Sequence, residues 1–132
     1  MIVGIAGLYR AGALFASHPA VIAIQVAAIL LMIAARVTFG RRSFHAAANP
    51  TAGGLVTTGP YAYIRHPIYA AALYFIWAGA LDHFSWSNVG WAVILTAGAV
   101  TRMLIEERLL VARYPEYAAY KARTRRVVPG IL

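Results

Sequence analysis

Tyr61, Arg65, His66 and Tyr69 are crowded into one short basic and aromatic stretch, Gly59-Pro60-Tyr61-Ala62-Tyr63-Ile64-Arg65-His66-Pro67-Ile68-Tyr69. A second charged group, Arg102 with Glu106 and Glu107, ends a later apolar stretch. A guanidinium can hold a carboxylate through two parallel charge-assisted hydrogen bonds, a carboxylate accepts from hydroxyl or ammonium groups, and a tyrosine face attracts a sulfonium or ammonium. If the chain folds back on itself between the two groups, their side chains can enclose a small charged cofactor.

Pro67 suits the first position of a helix, where the missing N–H has no intrahelical partner in any case, and a helix N-terminus favours a nearby anion. The spacing predicts that free N–H groups there, with Arg65 or His66, hold a cofactor carboxylate. The competing structural reading makes Arg65 an inside-facing anchor and His66 an interfacial polar residue. Arg102 and Glu106, four apart, are neighbours one helical turn away and could form a surface ion pair of a few tenths of a kcal/mol. Arg102 is still close to the apolar segment, however, where burial of such a group costs about 2.5 to 3.5 kcal/mol on insertion scales, so a functional role is the default. Glu106 and Glu107 project about 100° apart on a helix. One can face a pocket while the other faces water or the basic tail, so only one is expected to be a ligand.

Tyr61, Tyr69 and Tyr74 are candidates for a cation-binding π-face, whereas Tyr63, Trp86 and Trp91 read as an interfacial aromatic belt. His18, His45, His66 and His83 are too scattered for a metal site, and none is expected. The tail run Lys121-Ala122-Arg123-Thr124-Arg125-Arg126 attracts anionic lipid at about 1 kcal/mol per charge. No recognition fold accompanies it, and no nucleic acid is expected as a partner.

The elements that position these residues belong in a bilayer. Of the 132 residues, 61% are hydrophobic and only 12% charged, against about 25% charged in soluble domains. The absence of Cys excludes disulfides, thiolate metal sites and Cys nucleophiles. Residues 19–39 are long enough to cross a hydrocarbon core of about 30 Å. Residues 68–81 and 84–101 form an antiparallel hairpin candidate around a polar turn at 82–88, and residues 1–17 read as a short first span or an interfacial helix. The fold expected is all-α: an integral membrane bundle of three to four spans with a C-terminal helical hairpin and a cytoplasmic amphipathic tail helix. One domain covers 1–132, divided into an N-terminal span region (1–39), a cytoplasmic loop (40–66) with a breaker cluster at 49–54, the hairpin (67–105) and the tail (106–132). Eleven of the twelve Lys and Arg residues lie from Arg36 onward. The positive-inside rule then places the loop and the tail in the cytoplasm, with the chain in a bacterial-type inner membrane.

In the order and spacing of these motifs the chain resembles the isoprenylcysteine carboxyl methyltransferases and related membrane phospholipid methyltransferases. The matching features are Leu55-Val56-Thr57-Thr58-Gly59-x-Tyr61, Arg65-His66-Pro67-x-Tyr69, Arg102-x-x-x-Glu106-Glu107, and Tyr117-x-x-Tyr120 with Pro129. The resemblance implies a multi-span helical enzyme that binds S-adenosylmethionine on its cytoplasmic side. It implies that Gly54, Leu55 and Val56 line the cofactor and that Tyr61 contacts it. His66, Pro67, Ile68 and Tyr69, with Arg65 beside them, wrap around it, and Glu106 is its polar partner. Arg102 matches the position that holds a carboxylate of an amphiphilic acceptor, which makes O-methylation of that group the expected reaction. Ala71, where glycine is common, and Tyr114-Pro115, in place of Phe-Gly, depart from the family pattern. Sterol-reductase-like proteins also resemble the C-terminal region, so the alternatives are an NADPH-dependent membrane reductase and a non-catalytic lipid-binding scaffold.

Overall fold

A computed structural model of the chain describes residues 2–40 and 54–129. Most of the 49–54 breaker cluster and His45 lie outside the described residues. Within them the regular structure is helical: α1 (Ile2–Arg10), α2 (Pro19–Phe39), a 3-10 turn (Gly59–Ala62), α3 (Pro67–Asp82), α4 (Trp86–Arg113) and α5 (Tyr117–Arg123).

The helix boundaries follow local chemistry. Proline stands in the first turn of α2 and of α3, where its lack of an N–H is harmless. Ser85 caps α4 by accepting a hydrogen bond from the Asn88 amide at 3.1 Å. α2 and α4 are the two described helices long and apolar enough to cross a membrane, with mean hydropathies of 2.4 and 1.4. At 1.5 Å per residue they reach about 32 and 42 Å, whereas the 16 residues of α3 reach only about 24 Å. Ile22, Ile24, Ile29, Leu30, Ile33 and Val37 of α2 are all exposed, a continuous apolar surface that hydrocarbon accepts and water does not.

α1 does not form the span that residues 1–17 suggested. Its nine residues extend about 14 Å, less than half of the hydrocarbon thickness. It lies against α4, with Gly7 beside the Trp91 ring and Gly4 beside Leu95, and it buries Leu8 completely. Trp91 therefore packs against the core and is not part of an interfacial belt. Trp86 and Tyr63, 81% and 72% exposed, remain available for one.

Polar contacts hold the apolar helices in register. Gln25, buried on α2, donates to the carbonyls of Leu14 (2.9 Å) and Phe75 (3.0 Å) and accepts from the Ala16 amide (2.9 Å). Asp82, the last residue of α3, accepts from the amides of Ser17 (2.5 Å) and His18 (3.2 Å) just before α2 begins. Gly79 brings α3 close to the α1–α2 connection: a Cβ there would stand 2.6 Å from the carbonyl oxygens of Ala13 and Leu14. α2 and α3 are consequently antiparallel, and the end of α2 and the start of α3 meet at the opposite pole. There Phe39 stacks on Tyr61 at 5.4 Å, and Gly59 fits against Thr38 with φ +57°, a conformation and a space that suit only glycine. Between α1, α2 and α3 runs an apolar cavity of about 270 Å³, lined by Met32, Ile33, Ala71, Ala72, Phe75 and Ile76 among others.

The chain after α4 turns at residues 114–116, and the tail helix α5 ends at Arg123. Residues 124–128 run as a strap along the segment that enters α3. Ile64 and Arg125 form a parallel bridge, and the Tyr74 hydroxyl donates to the Val127 carbonyl.

Candidate active site

The strap and α4 divide the charged residues of this pole into two groups. The first is organised by Glu107, which is 4% exposed. Its Oε1 accepts from Arg65 Nε at 3.0 Å and Arg126 Nε at 3.2 Å, and lies 3.2 Å from His66 Nε2. Its Oε2 accepts from Arg126 Nη2 at 3.2 Å, and the Lys121 ammonium stands 3.7 Å away. Arg65 also donates to the backbone carbonyls of Lys121, at 3.1 Å, and Thr124. A carboxylate taken out of water persists as a charge only when it is paired and hydrogen-bonded, and this one has cations on several sides.

The two amides just before α3 are paired with the strap. The Arg65 amide donates to the Arg125 carbonyl at 2.6 Å and the His66 amide to the Arg126 carbonyl at 3.0 Å. The side chains of Arg65 and His66 are likewise committed to Glu107. The physical reason is the buried acid: a cation left facing a ligand pocket could not also neutralise it. Tyr74 turns its hydroxyl to the strap rather than to a shared aromatic face, and Arg113 lies over the ring of Tyr114 at 6.0 Å.

The second group is built around Tyr69. Its hydroxyl accepts from Arg102 Nε at 2.6 Å and donates to Glu106 Oε2 at 3.3 Å. The phenol thus stands between the two α4 charges that the sequence allowed to pair directly. Tyr61 joins this side. Burial raises its phenol above the ordinary tyrosine range, and the negative charges of Glu106 and of any ionised Tyr120 push the same way while Arg36 opposes them. Its backbone carbonyl accepts from the Tyr120 hydroxyl at 2.7 Å. The two groups touch where the His66 and Tyr69 rings meet edge to face, 5.7 Å apart. Pro67 is buried and Ile68 half-buried at the head of α3, and Gly54 (φ +80°), Leu55 and Val56 form the irregular lead-in to the 3-10 turn.

The fold therefore brings Tyr61, Tyr69, Arg102 and Glu106 together and ties Arg65 and His66 to a structural centre one residue further along α4. Sequence reasoning allowed one glutamate to face water or the basic tail but missed that Glu107 is a buried centre that gathers Arg65 and His66 as well as Arg126 and Lys121. The available signal was scarcity: four acids against twelve cations make any buried acid a natural focus of cations.

Chemically, the Tyr69 group pairs a cation able to orient an anion with a carboxylate able to hold a polar ligand, at the end of an apolar bundle. Neither the curated proteins nor the solved structures yield a match. A family model described as phospholipid methyltransferase matches residues 14–117. That match begins ahead of α2 and ends at the first residue of α5, so it takes in the bundle together with Tyr61, Tyr69, Arg102 and Glu106, and the chain belongs to the phospholipid methyltransferase family, whose members are membrane methyltransferases.

Proposed function

We propose that the chain is an S-adenosylmethionine-dependent methyltransferase acting on an anionic amphiphile, with a carboxylate as the methyl acceptor, at the cytoplasmic face of a membrane. The observation that carries this reading is the Arg102–Tyr69–Glu106 chain of hydrogen bonds, in a family of methyltransferases. The surrounding charge favours an anion over a protonated amine: Arg36, Arg65, Arg102, Arg108, Arg113, Lys121, Arg123, Arg125 and Arg126 belong to this pole, and the acids there are Glu106, Glu107 and Glu116.

The donor set suits the cofactor. Glu106 offers a carboxylate to its polar groups, and Tyr61 and Tyr69 offer aromatic surface to its positive charge. Gly54, Leu55, Val56, Pro67 and Ile68 supply the apolar wall. Bound S-adenosylmethionine supplies a methyl group made electrophilic by the sulfonium. Arg102 orients the acceptor carboxylate, which is ionised at neutral pH and needs no general base. Tyr69 keeps the guanidinium and the Glu106 carboxylate apart, leaving each directed to its own ligand. The apolar cavity between α2 and α3 is continuous in helical phase with this site. Met32 and Ile33 lie one turn before Arg36, and Ala72 lies one turn after Tyr69. It accommodates the acceptor's hydrocarbon from the bilayer side.

The test is transfer of radiolabelled methyl from S-adenosylmethionine to a mixed lipid extract by the purified protein. Base-labile, ester-linked label that depends on Arg102 supports the reading. Label found only on amines would overturn the carboxylate assignment, and binding of NADPH in place of S-adenosylhomocysteine would overturn the enzyme class.

A further inference from the structure

The cavity between α1, α2 and α3 has a closed end, a charged end and a fixed size. Ala28 and Ala71, both buried, form its back wall and are small enough to leave the space, while Ile29 and Ile33 flank its lipid-facing side. Among the described residues its lining side chains are all apolar. Toward the cytoplasmic pole, Ala72 lies one turn from Tyr69, whose hydroxyl accepts from Arg102. Away from that pole, the Gln25 carboxamide, one turn before Ala28, donates to the carbonyls of Leu14 at 2.9 Å and Phe75 at 3.0 Å. Phe15 also packs edge to face on the Phe75 ring at 5.9 Å. Leu14 and Phe75 line the cavity, so this clamp is its floor. A chain forced past it would break the bond to the Leu14 carbonyl and leave a buried acceptor unpaired.

Size decides what the cavity admits. An apolar protein cavity of about 150 Å³ takes the six carbons of benzene. On that scale the 270 Å³ here takes about ten carbons, which is a single chain of medium length. Two acyl chains entering side by side to the same depth would need about twice the volume, and protein interiors do not yield that much without strain.

We propose that this cavity seats one hydrocarbon chain of an anionic amphiphile, to about its tenth carbon, with the anionic group held at Arg102. The inference rests on the carboxylate methyltransferase reading and sharpens it: the acceptor class is a single-chain amphiphile and not a two-chain phospholipid. Ala72 near the mouth and Ala28 near the floor are then specificity-determining residues, because a larger side chain at either takes space that the ligand needs.

The experiment measures equilibrium binding of hexanoic, decanoic and hexadecanoic acids, and of dioleoylglycerol hemisuccinate as a two-chain carboxylate, to the full-length protein in phosphatidylcholine nanodiscs without cofactor. Affinities are corrected for partition into the lipid, and methyl transfer from S-adenosylmethionine to the same four compounds is followed in parallel. Decanoic acid should bind more tightly than hexanoic acid, hexadecanoic acid no more tightly than decanoic acid, and the two-chain compound about tenfold or more weakly than decanoic acid. Ala28→Leu should weaken decanoic acid about tenfold and leave hexanoic acid within about twofold, whereas Ala72→Leu should weaken both. A general loss of structure would not sort the ligands by length in this way. Should Ala28→Leu fail to fold, the chain-length and chain-number comparisons in wild type decide the matter. Equal affinity for one and two chains, no dependence on length, or no binding of any acid overturns the pocket. The expected binding pattern without methyl transfer to any compound overturns the carboxylate methyltransferase reading and leaves the pocket. Methyl transfer to the two-chain compound as efficient as to decanoic acid does the reverse.

Discussion

Glu106 and Glu107 are adjacent in the chain and do different work: Glu106 accepts from the Tyr69 hydroxyl at 3.3 Å, while Glu107, buried, holds Arg65 at 3.0 Å and His66 at 3.2 Å. The helical offset of about 100° between consecutive residues is enough to turn one toward the candidate pocket and the other into the knot that ties the tail to α3. The distinction makes the two carboxylates separable by mutation.

Glu107→Gln removes the charge that Arg65, Lys121 and Arg126 share. Breaking a buried ion pair by deleting one partner costs about 3 to 5 kcal/mol. The expected result is a large drop in melting temperature in detergent and protease cleavage within residues 117–128, since the strap loses its anchor. A variant as stable as wild type would contradict the role assigned to the knot.

Gln25→Leu isolates the membrane-embedded clamp. It strands the Leu14 carbonyl and the Ala16 amide, at about 1 to 3 kcal/mol for each buried polar group left unpaired, and takes the second donor from the Phe75 carbonyl, which lies within α3. Stability should fall while affinity for S-adenosylhomocysteine measured at low temperature is retained, because the clamp meets α3 at Phe75, about 9 Å along the helix from Tyr69.

How much of this was legible beforehand differs by element. α2 and α4 are visible as long apolar runs, and their starts are marked by Pro19 and Ser85. The start of α3 is marked by Pro67. The meeting of Tyr69 with Arg102 and Glu106 follows from a hairpin that returns the second group to the first. That Glu106 and Glu107 face different ways was legible from their helical offset; that Glu107 is buried among Arg65, His66 and Arg126 was not, because the strap that carries Arg126 pairs with residues 63–66 through a non-local backbone contact without a side-chain pattern. Likewise, Trp91 has the composition of a belt residue, and only the gap that Gly7 leaves on α1 makes it a core residue.

High pH should unfold the tail. Burial pushes the Tyr120 phenol up to about 12 from an ordinary 10.0, with Arg65 and Arg123 opposing, and Tyr61 and Tyr117 are also raised. The unfolded chain therefore loses these protons at lower pH than the native one. Their contribution to stability is complete below pH 10 and is lost as pH rises through about 12. Melting temperature against pH, followed alongside tyrosinate absorbance, should show this fall, and Tyr120→Phe should make it shallower.

Orientation is open to direct labelling because the chain contains no Cys. Single replacements Ser87→Cys, in the α3–α4 turn region, and Ala119→Cys, on α5, should react with an impermeant maleimide from opposite sides of the membrane, the second only from the cytoplasmic side. Labelling of both from one side would refute the proposed topology.

Glu106→Gln bears most directly on the central claim, that this carboxylate and not its neighbour serves the cofactor. Calorimetric titration of S-adenosylhomocysteine into wild type and Glu106→Gln, paired with their unliganded melting curves, should show nearly equal stability and an affinity lowered about tenfold or more, as expected for a lost charge-assisted hydrogen bond. Equal affinity in the two proteins would contradict the account.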